Sequence, residues 1–374
     1  MKIILNTTTS HKGGSVQVAI SLLNEFRQYK ENDYYVFIGP SLLNFIRVSD
    51  FPNNFYFHTF ECRPSQKVFS LRPLHKIFQR LERTIKPDCV VTTSGPSYWR
   101  PSCPHLIGYN LPHYIYSDSP YWRIIGPLVK LRFYLRKYII RYFFKKDADY
   151  YFVQTDDVKE RLKSFIKKEE ISTIPNACSF VENQKRSDKK FLPAKVSSVF
   201  RFVTLSAYYK HKNLEIIGEV ANLLERRGYI NIEFIVTLGE ADFIKCFGKN
   251  PSSKIINLGP INPSDCYSLY SECDALILPT LLECFSANYV EAMFMRKPIL
   301  TSNLSFAKCI CRDAAVYFNP LDKNDIVQKV INLVENPELI SKLCSNGILR
   351  LKDFPTPQER ASAILNLAES LISK

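Results

Sequence analysis

Several residue types or patterns are rare in the sequence, and their rarity excludes several classes of protein. Only 12 of 374 residues are glycine, which excludes a collagen-like chain or one built on glycine linkers. No C-x-x-C pair occurs among the eleven cysteines, and the six histidines are scattered. This pattern excludes a secreted disulfide scaffold and a zinc module. We therefore expect reduced thiols, mostly buried as small apolar side chains.

Long apolar runs are also missing. No stretch reaches the roughly 18 uncharged apolar residues of a membrane-spanning helix. The N-terminal run MKIILNT is shorter than the apolar core of a signal peptide and stops at polar residues. We expect a cytoplasmic protein, with peripheral attachment to the inner face of the membrane left open.

The residues that are present describe a large, basic, folded protein. Hydrophobic residues make up 46% of the chain and aromatic residues 13%, enough apolar surface to offset the entropy lost on folding. Fifty Lys and Arg against 36 Asp and Glu give a formal charge of +14. At about 150 residues per domain, the length predicts two domains.

Short apolar runs alternate with stretches of helical period along the whole chain. This alternation predicts an α/β fold with parallel sheets buried on both faces. A polar, Lys-rich segment at 182–196 (ENQKRSDKKFLPAKV) separates two such series and is predicted to be a linker. We predict an N-terminal domain over 1–181 and a C-terminal domain over 182–354, with the helical tail 355–374 packing back on the first.

The stretch LPTLLECFSANYVEAMFMRKPILTS, residues 278–302, carries the most chemical information. It predicts a strand, a loop with Glu283, a helix containing Glu291, and a second strand. Backbone amides at the start of that helix would suit a phosphate group. The four residues that supply these amides are Cys284, Phe285, Ser286 and Ala287. Glu283 and Glu291 would suit sugar hydroxyls. An ordinary helix with one capping and one solvated acid remains the alternative.

The spacing Glu283-x7-Glu291, followed by Ala292-Met293 and Lys297-Pro298, resembles the signature of retaining GT-B glycosyltransferases of family 4, the "glycosyl transferases group 1" type. The segments LSAYYKHKNLEII and CRDAAVYFNPLD are similar to the family's flanking regions. Gly13-Gly14 before an amphipathic helix fits as well. The resemblance implies two Rossmann-like domains facing a central cleft, with the C-terminal helix returning to the N-terminal domain.

The resemblance assigns three charged residues to the donor. It implies that Glu291 binds the donor ribose hydroxyls and that Glu283 contacts the donor sugar near the reaction centre. Lys212 would neutralise the diphosphate leaving group, on which negative charge develops.

Three residues of the N-terminal half receive roles in the same way. The Gly13-Gly14 loop would let the backbone approach the diphosphate or the acceptor closely. His113 stands where the family often places a histidine near the donor sugar. A structural role for His113 is the alternative.

The sequence also departs from the family pattern. Ser206 and Ala207 occupy places where the family usually has an arginine, so Lys210 or a residue elsewhere would supply the second positive charge. Cys284 stands where glycine is common, and Arg296 stands where glycine often precedes the Lys-Pro turn. These changes concern loop shape and donor preference.

The implied reaction moves a hexosyl sugar from a nucleotide-diphosphate sugar to a hydroxyl of a glycan or lipid-linked acceptor, with retention at the anomeric carbon. Surface polysaccharide biosynthesis is the expected setting. The resemblance implies no cofactor and no metal. Asp147-Ala148-Asp149 spells D-x-D, a metal-binding motif of another glycosyltransferase fold, but its position at a helix end favours capping or solvation.

A basic helix is predicted over residues 123–146. No acid lies between Trp122 and Lys146, and Lys130, Lys137, Arg141 and Lys145 share one helical stripe. A second stripe is apolar and comprises Leu128, Leu131, Leu135, Tyr138, Ile139 and Tyr142. This pattern is typical of a helix on an anionic membrane surface or of an interaction face. A core-packing helix with a solvated basic side is the alternative, and the missing nucleic-acid motifs disfavour nucleic acid.

Two other function classes compete with the glycosyltransferase interpretation. One is a sugar-nucleotide epimerase on the same fold, and the other is a non-catalytic basic protein that binds membrane or nucleic acid. The sugar, the nucleotide base, the acceptor and the oligomeric state do not follow from the sequence.

Overall fold

The structure, a computed structural model, describes residues 1–11, 13–66, 72–180 and 189–373. The chain divides into two compact units. The first comprises Met1–Ser117, Ile125–Asn176 and Pro355–Lys374, and the second comprises Asp118–Ile124 and Ala177–Phe354. The predicted domain boundary at 181/182 and the linker residues 182–188 lie outside the described residues. Residues 118–124, predicted to belong to the N-terminal domain, group with the second unit instead.

Within its described residues, the first unit contains a seven-stranded parallel sheet with the order β3-β2-β1-β4-β5-β6-β7. The strands are β1 (Lys2–Asn6), β2 (Asp33–Ile38), β3 (Phe55–Thr59), β4 (Cys89–Thr92), β5 (His105–Gly108), β6 (Tyr150–Val153) and β7 (Ile171–Thr173). Its helices are α1 (Gly14–Phe26), α2 (Pro40–Leu43), α3 (Arg72–Ile85), α5 (Pro127–Asp147), α6 (Asp156–Ile166) and α14 (Pro357–Ile372), while α4 (Tyr121–Ile124) belongs to the second unit.

The core of the first unit combines buried apolar strands with the apolar faces of the helices that cover them. β1 buries Ile3 and Leu5, and its neighbours are continuous apolar runs, as a sheet covered on both faces requires. α1 buries positions at helical spacing, among them Val16 and Leu23. The C-terminal helix α14 adds Ile364 to the same core, so its predicted return to the N-terminal domain is confirmed.

Within its described residues, the second unit contains a six-stranded parallel sheet with the order β10-β9-β8-β11-β12-β13. The strands are β8 (Phe200–Thr204), β9 (Ile232–Val236), β10 (Ile255–Asn257), β11 (Ala275–Leu278), β12 (Ile299–Ser302) and β13 (Ala315–Phe318). The remaining helices are α7 (Glu215–Arg226), α8 (Glu240–Phe247), α9 (Cys266–Ser271), α10 (Ala287–Phe294), α11 (Ser305–Cys311), α12 (Lys323–Val334) and α13 (Pro337–Leu351).

The expectations about the cysteines and about membrane-spanning helices can be compared with the structure. All eleven cysteines are free thiols, six of them buried and five half-buried. Among the described residues, every helix is too short or too polar to cross a bilayer.

Candidate active site

The sheet of the second unit reverses its strand order between β8 and β11. In an open parallel sheet, ligands bind outside the carboxyl ends of the strands at such a switch point. The loop after β8 carries Lys212, and the loop after β11 carries Glu283. The topology therefore brings together two residues that stand 71 positions apart in the sequence.

Backbone contacts hold these two loops against each other. The Leu281 amide donates to the His211 carbonyl at 2.7 Å, and the Thr280 hydroxyl donates to the same carbonyl at 3.3 Å. A tight turn over Lys210–Lys212 ends at Asn213, whose φ of 55° is left-handed. Asparagine tolerates this conformation better than most residues, and its Nδ2 donates to the Pro320 carbonyl at 2.7 Å. The Lys212 side chain thus points away from the loop in a fixed direction, because Asn213 anchors the end of the turn.

Lys212 and Glu283 form a largely buried ion pair. The Lys212 Nζ lies 2.5 Å from Glu283 Oε1, and the two side chains are 17% and 7% exposed. Buried charges are retained in proteins when they are paired and hydrogen-bonded. The pair thereby positions the Lys212 ammonium group at the switch point. A phosphate group that binds there can replace the Glu283 carboxylate as the partner of the ammonium group.

Glu291 lies on α10 and is 8% exposed. The Ser179 hydroxyl donates to its Oε1 at 2.5 Å, and the Tyr270 hydroxyl lies 3.5 Å from Oε2. Burial raises the pKa of the Glu291 carboxyl, and the hydrogen bonds from Ser179 and Tyr270 partly offset that rise. The side chain is neither solvated nor a cap, so the alternative of an ordinary surface acid at position 291 is wrong.

The four loop residues at the start of α10 differ in exposure. Cys284 and Ser286 are buried, Phe285 is half-buried and packs 6.0 Å from the Phe354 ring, and Ala287 is exposed. Ser286 has extended backbone angles, as a residue preceding a helix does, and its hydroxyl makes no cap within the described part of the chain. The first-turn amides of α10 are thus left without a side-chain cap from Ser286.

Lys210 lies on the same turn as Lys212 but has a different partner. Its Nζ lies 2.7 Å from Glu215 Oε1, which also accepts a 2.8 Å hydrogen bond from Tyr208. The Ser206 hydroxyl donates to the Ala207 carbonyl at 2.8 Å. The structure therefore does not bring Lys210 to the Lys212–Glu283 pair, and its role at the diphosphate stays a prediction.

The predicted residues of the first unit lie in two places. Gly13 precedes α1 with a φ of 56°, a left-handed angle that favours glycine. A Cβ at Gly14 would meet nothing within 4 Å, so that position is open to close approach. His113 stacks on Phe133 at 4.9 Å, and burial lowers the pKa of its imidazole to about 4. His113 is therefore neutral at physiological pH.

The D-x-D sequence at the end of α5 is built into the first unit. Asp147 is buried and accepts a hydrogen bond from Ser97 at 3.2 Å, and burial raises the pKa of its carboxyl to about 7. Asp149 pairs with Arg100 at 2.5 Å and accepts from the His105 amide at 3.0 Å. The expectation of solvation is wrong for Asp147, because the end of α5 is covered by the loop that carries Ser97.

Several partners of the site could not be predicted from the sequence. Ser179 and Tyr270 hold Glu291 from segments with no motif of their own. Ser119 donates to the Leu281 carbonyl at 2.6 Å, and the Tyr121 ring lies 6.2 Å from the His211 ring. These contacts couple the segment 118–124 to both loops of the switch point. No spacing in the sequence signals them, because the partners are distant along the chain.

A second polar cluster lies at the carboxyl ends of β1, β4, β5 and β6 in the first unit. The Ser94 hydroxyl donates to Asn110 Oδ1 at 2.7 Å, and Gln154 Nε2 donates to the Tyr109 carbonyl at 2.8 Å. Gln154 is 7% exposed, and its Oε1 has no partner among the described residues. The cluster is uncharged and rich in hydroxyl and amide groups, which suits hydroxylated ligands.

Each of the two units contains a parallel sheet of Rossmann type, and the second unit carries a lysine-carboxylate pair at the switch point of its sheet. The fold is the GT-B fold of glycosyltransferases. It matches a sucrose-phosphate synthase from Thermosynechococcus elongatus with a TM-score of 0.75 at 13% identity, covering 100% of this chain and 99% of that one. It also matches the Anabaena protein HepE, solved in complex with UDP-glucose, with a TM-score of 0.69 at 13% identity, covering all of both chains.

A family model matches a segment in the second half of the chain. Residues 184–350 match the family model "Glycosyl transferases group 1", which confirms the resemblance predicted from the sequence. The chain is also 23% identical over 158 residues to the O-antigen chain mannosyltransferase RfbU of Salmonella typhimurium. That match spans 41% of this chain and 43% of the mannosyltransferase, less than half of its length.

Proposed function

We propose that the protein is a retaining glycosyltransferase that moves a hexosyl sugar from a nucleotide-diphosphate sugar to a hydroxyl of a glycan or lipid-linked acceptor. The observation that carries the proposal is the buried Lys212–Glu283 pair, held at a switch point next to the helix that presents Glu291. The family of the matched segment and the name of the mannosyltransferase relative support sugar transfer in polysaccharide biosynthesis.

Each charged group has a role in this proposal. The Glu291 carboxylate accepts hydrogen bonds from the ribose hydroxyls, and Ser179 holds that carboxylate in place. The Lys212 ammonium exchanges its contact with Glu283 for the diphosphate and stabilises the charge that develops on it. Glu283, released from the lysine, binds the donor sugar. The bond between the anomeric carbon and the diphosphate oxygen breaks, and the nucleoside diphosphate leaves with the bonding electrons. The acceptor oxygen bonds to the anomeric carbon on the same face, and its proton passes to the departing diphosphate.

We propose that the polar cluster at the carboxyl ends of the strands in the first unit binds the acceptor. Ser94, Asn110 and Gln154 present neutral donors and acceptors, which match sugar hydroxyls better than a charged ligand. The left-handed Gly13 and the open space at Gly14 let the acceptor approach the backbone at the start of α1.

The test is turnover of a panel of UDP- and GDP-sugars in the presence of a lipid extract, with the sugar products identified by NMR. We expect nucleoside diphosphate release together with a sugar-modified lipid, and a loss of about 100-fold or more in Lys212→Met. Lys323→Met is the matched control, because Lys323 forms an exposed ion pair with Glu219 at 2.8 Å in the same unit.

Other products identify the competing functions. An epimerase would change the donor sugar without modifying an acceptor. A non-catalytic binding protein would turn over no donor at all. Either outcome, or a Lys212→Met variant as active as Lys323→Met, contradicts the glycosyltransferase proposal.

A further inference from the structure

The helix α5 exposes a continuous apolar stripe to solvent. Five large side chains at alternating spacings of three and four residues lie on one helical face. They are Leu128 (81% exposed), Leu131 (53%), Leu135 (58%), Tyr138 (56%) and Tyr142 (57%). Single exposed apolar residues are ordinary, but a stripe of five along one helix marks an interaction surface. We call these five residues the α5 ridge.

The opposite face of α5 fixes the ridge in its outward position. Ile140 and Phe144 are buried, and Phe133 stacks on His113. Lys137, which the sequence places on the basic stripe, is half-buried, and its ammonium lies 5.8 Å from the centre of the Phe165 ring. Because these residues lie on the far side of the helix, α5 cannot turn the ridge inward without unpacking its own core contacts.

Basic side chains flank the ridge on both sides. At 3.6 residues per turn, one flank carries Arg132, Arg136 and Lys146, and the other carries Lys130, Arg141 and Lys145. All of them are exposed except Arg141, which is half-buried. No acidic residue occurs between Trp122 and Lys146, so neither flank contains a compensating carboxylate of its own.

We propose that the α5 ridge inserts into the interfacial layer of an anionic membrane, with both basic flanks on the lipid headgroups. A nucleic acid would neutralise the flanks but would leave the apolar ridge in water. A bilayer offers apolar chains directly below a row of anionic headgroups, which matches an apolar strip between two basic rows. The proposal rests on the exposed surface of α5 alone and is independent of the proposed glycosyl transfer.

Insertion of the α5 ridge and attraction of the basic flanks contribute separately to membrane binding, and each contribution can be measured. Each basic residue near an anionic surface strengthens binding by about fivefold, so neutralising three should weaken it by about 100-fold. Salt screens this attraction, whereas burial of apolar side chains survives it. Binding to anionic vesicles should therefore fall at high salt without disappearing.

The experiment is co-sedimentation of the full-length protein with phosphatidylcholine vesicles that contain or lack about 30% phosphatidylglycerol. The flank variant replaces Lys130, Arg132 and Lys145 by Gln, and the ridge variant replaces Leu131 and Leu135 by Gln. The charge-matched control replaces the exposed residues Arg227, Lys249 and Lys352 by Gln, which lowers the net charge by the same amount.

We expect the unmodified protein and the control to bind anionic vesicles equally. The flank variant should bind about 100-fold more weakly, and the ridge variant should lose the salt-resistant part of the binding. The proposal is overturned if no vesicle is bound, if either α5 variant binds like the unmodified protein, or if the control falls as far as the flank variant. Vesicle binding needs no donor, so this result and the turnover test can fail separately.

Discussion

The Lys212–Glu283 pair allows the structural and the catalytic roles of one contact to be separated. Both side chains are largely buried and lie 2.5 Å apart, so removing one charge leaves the other buried and unpaired. Such a loss costs about 3–5 kcal/mol. We expect Lys212→Met and Glu283→Gln each to lower the free energy of unfolding by about 3 kcal/mol, because the 17% exposure of Lys212 reduces its penalty.

The double variant carries the decisive information. Lys212→Met with Glu283→Gln leaves a neutral pair of similar volume, so the free energy of unfolding should return to within about 1 kcal/mol of the original value. Turnover should stay at least about 100-fold low, because no ammonium remains to stabilise the leaving diphosphate. Urea denaturation and nucleoside diphosphate release measure the two quantities.

A purely structural pair predicts a different pattern. In that case the double variant would recover activity together with stability, and the reasoning that places Lys212 on the diphosphate would be refuted. If the free-energy changes of the two single variants instead add up in the double variant, the two charges do not interact and the buried ion pair itself is contradicted.

Four further substitutions test separate parts of the account. In the absence of donor, Glu291→Gln should raise the thermal midpoint of unfolding near pH 8, because an acid whose pKa is raised by burial stabilises the fold only while it is protonated. The same variant should bind the donor about tenfold more weakly in calorimetry. The pKa of Asp147 rises from 3.8 to about 7, so its stabilising proton is lost as the pH rises through about 7. Relative to Asp147→Asn, the unmodified protein should therefore lose up to about 4 kcal/mol between pH 4 and pH 8 in urea titrations, and a flat difference would disprove the shift. Arg296 has a φ of 53° where glycine is common, so Arg296→Gly should add about 0.5–1 kcal/mol of stability, and a loss would contradict backbone strain there. Gly14→Ala should leave the unfolding free energy unchanged, since its Cβ meets nothing, and lower turnover about tenfold by blocking the ligand; full activity would count against that role.

The second unit could be predicted well because its elements carry strong local signals. The strands β8, β11 and β12 are buried apolar runs, and α10 follows a loop whose residues resemble a family signature. The site depends on two of these loops and on the order of the sheet. Lys212 and Glu283 could therefore be singled out in the sequence, whereas their direct contact could not, and their roles stay a prediction.

Other features could not be predicted because their causes are not local. β3 is half exposed and lacks a clear period, and β7 has three residues. The pairing of Ser179 with Glu291 joins residues 112 positions apart. The outward position of the α5 ridge follows from what packs behind α5, since a helical period alone does not tell which stripe faces the core. α6 was missed although Thr155 caps it, with two acids in its first turn.

The central claim is that the loops after β8 and β11 bind a nucleotide-sugar donor. Isothermal titration of UDP- and GDP-sugars into the unmodified protein, Lys212→Met and Lys323→Met tests it most directly. The account predicts one saturable site for at least one donor, binding weakened about tenfold or more in Lys212→Met, and unchanged binding in Lys323→Met. Absence of binding for every donor, or equal affinity in both lysine variants, would contradict it.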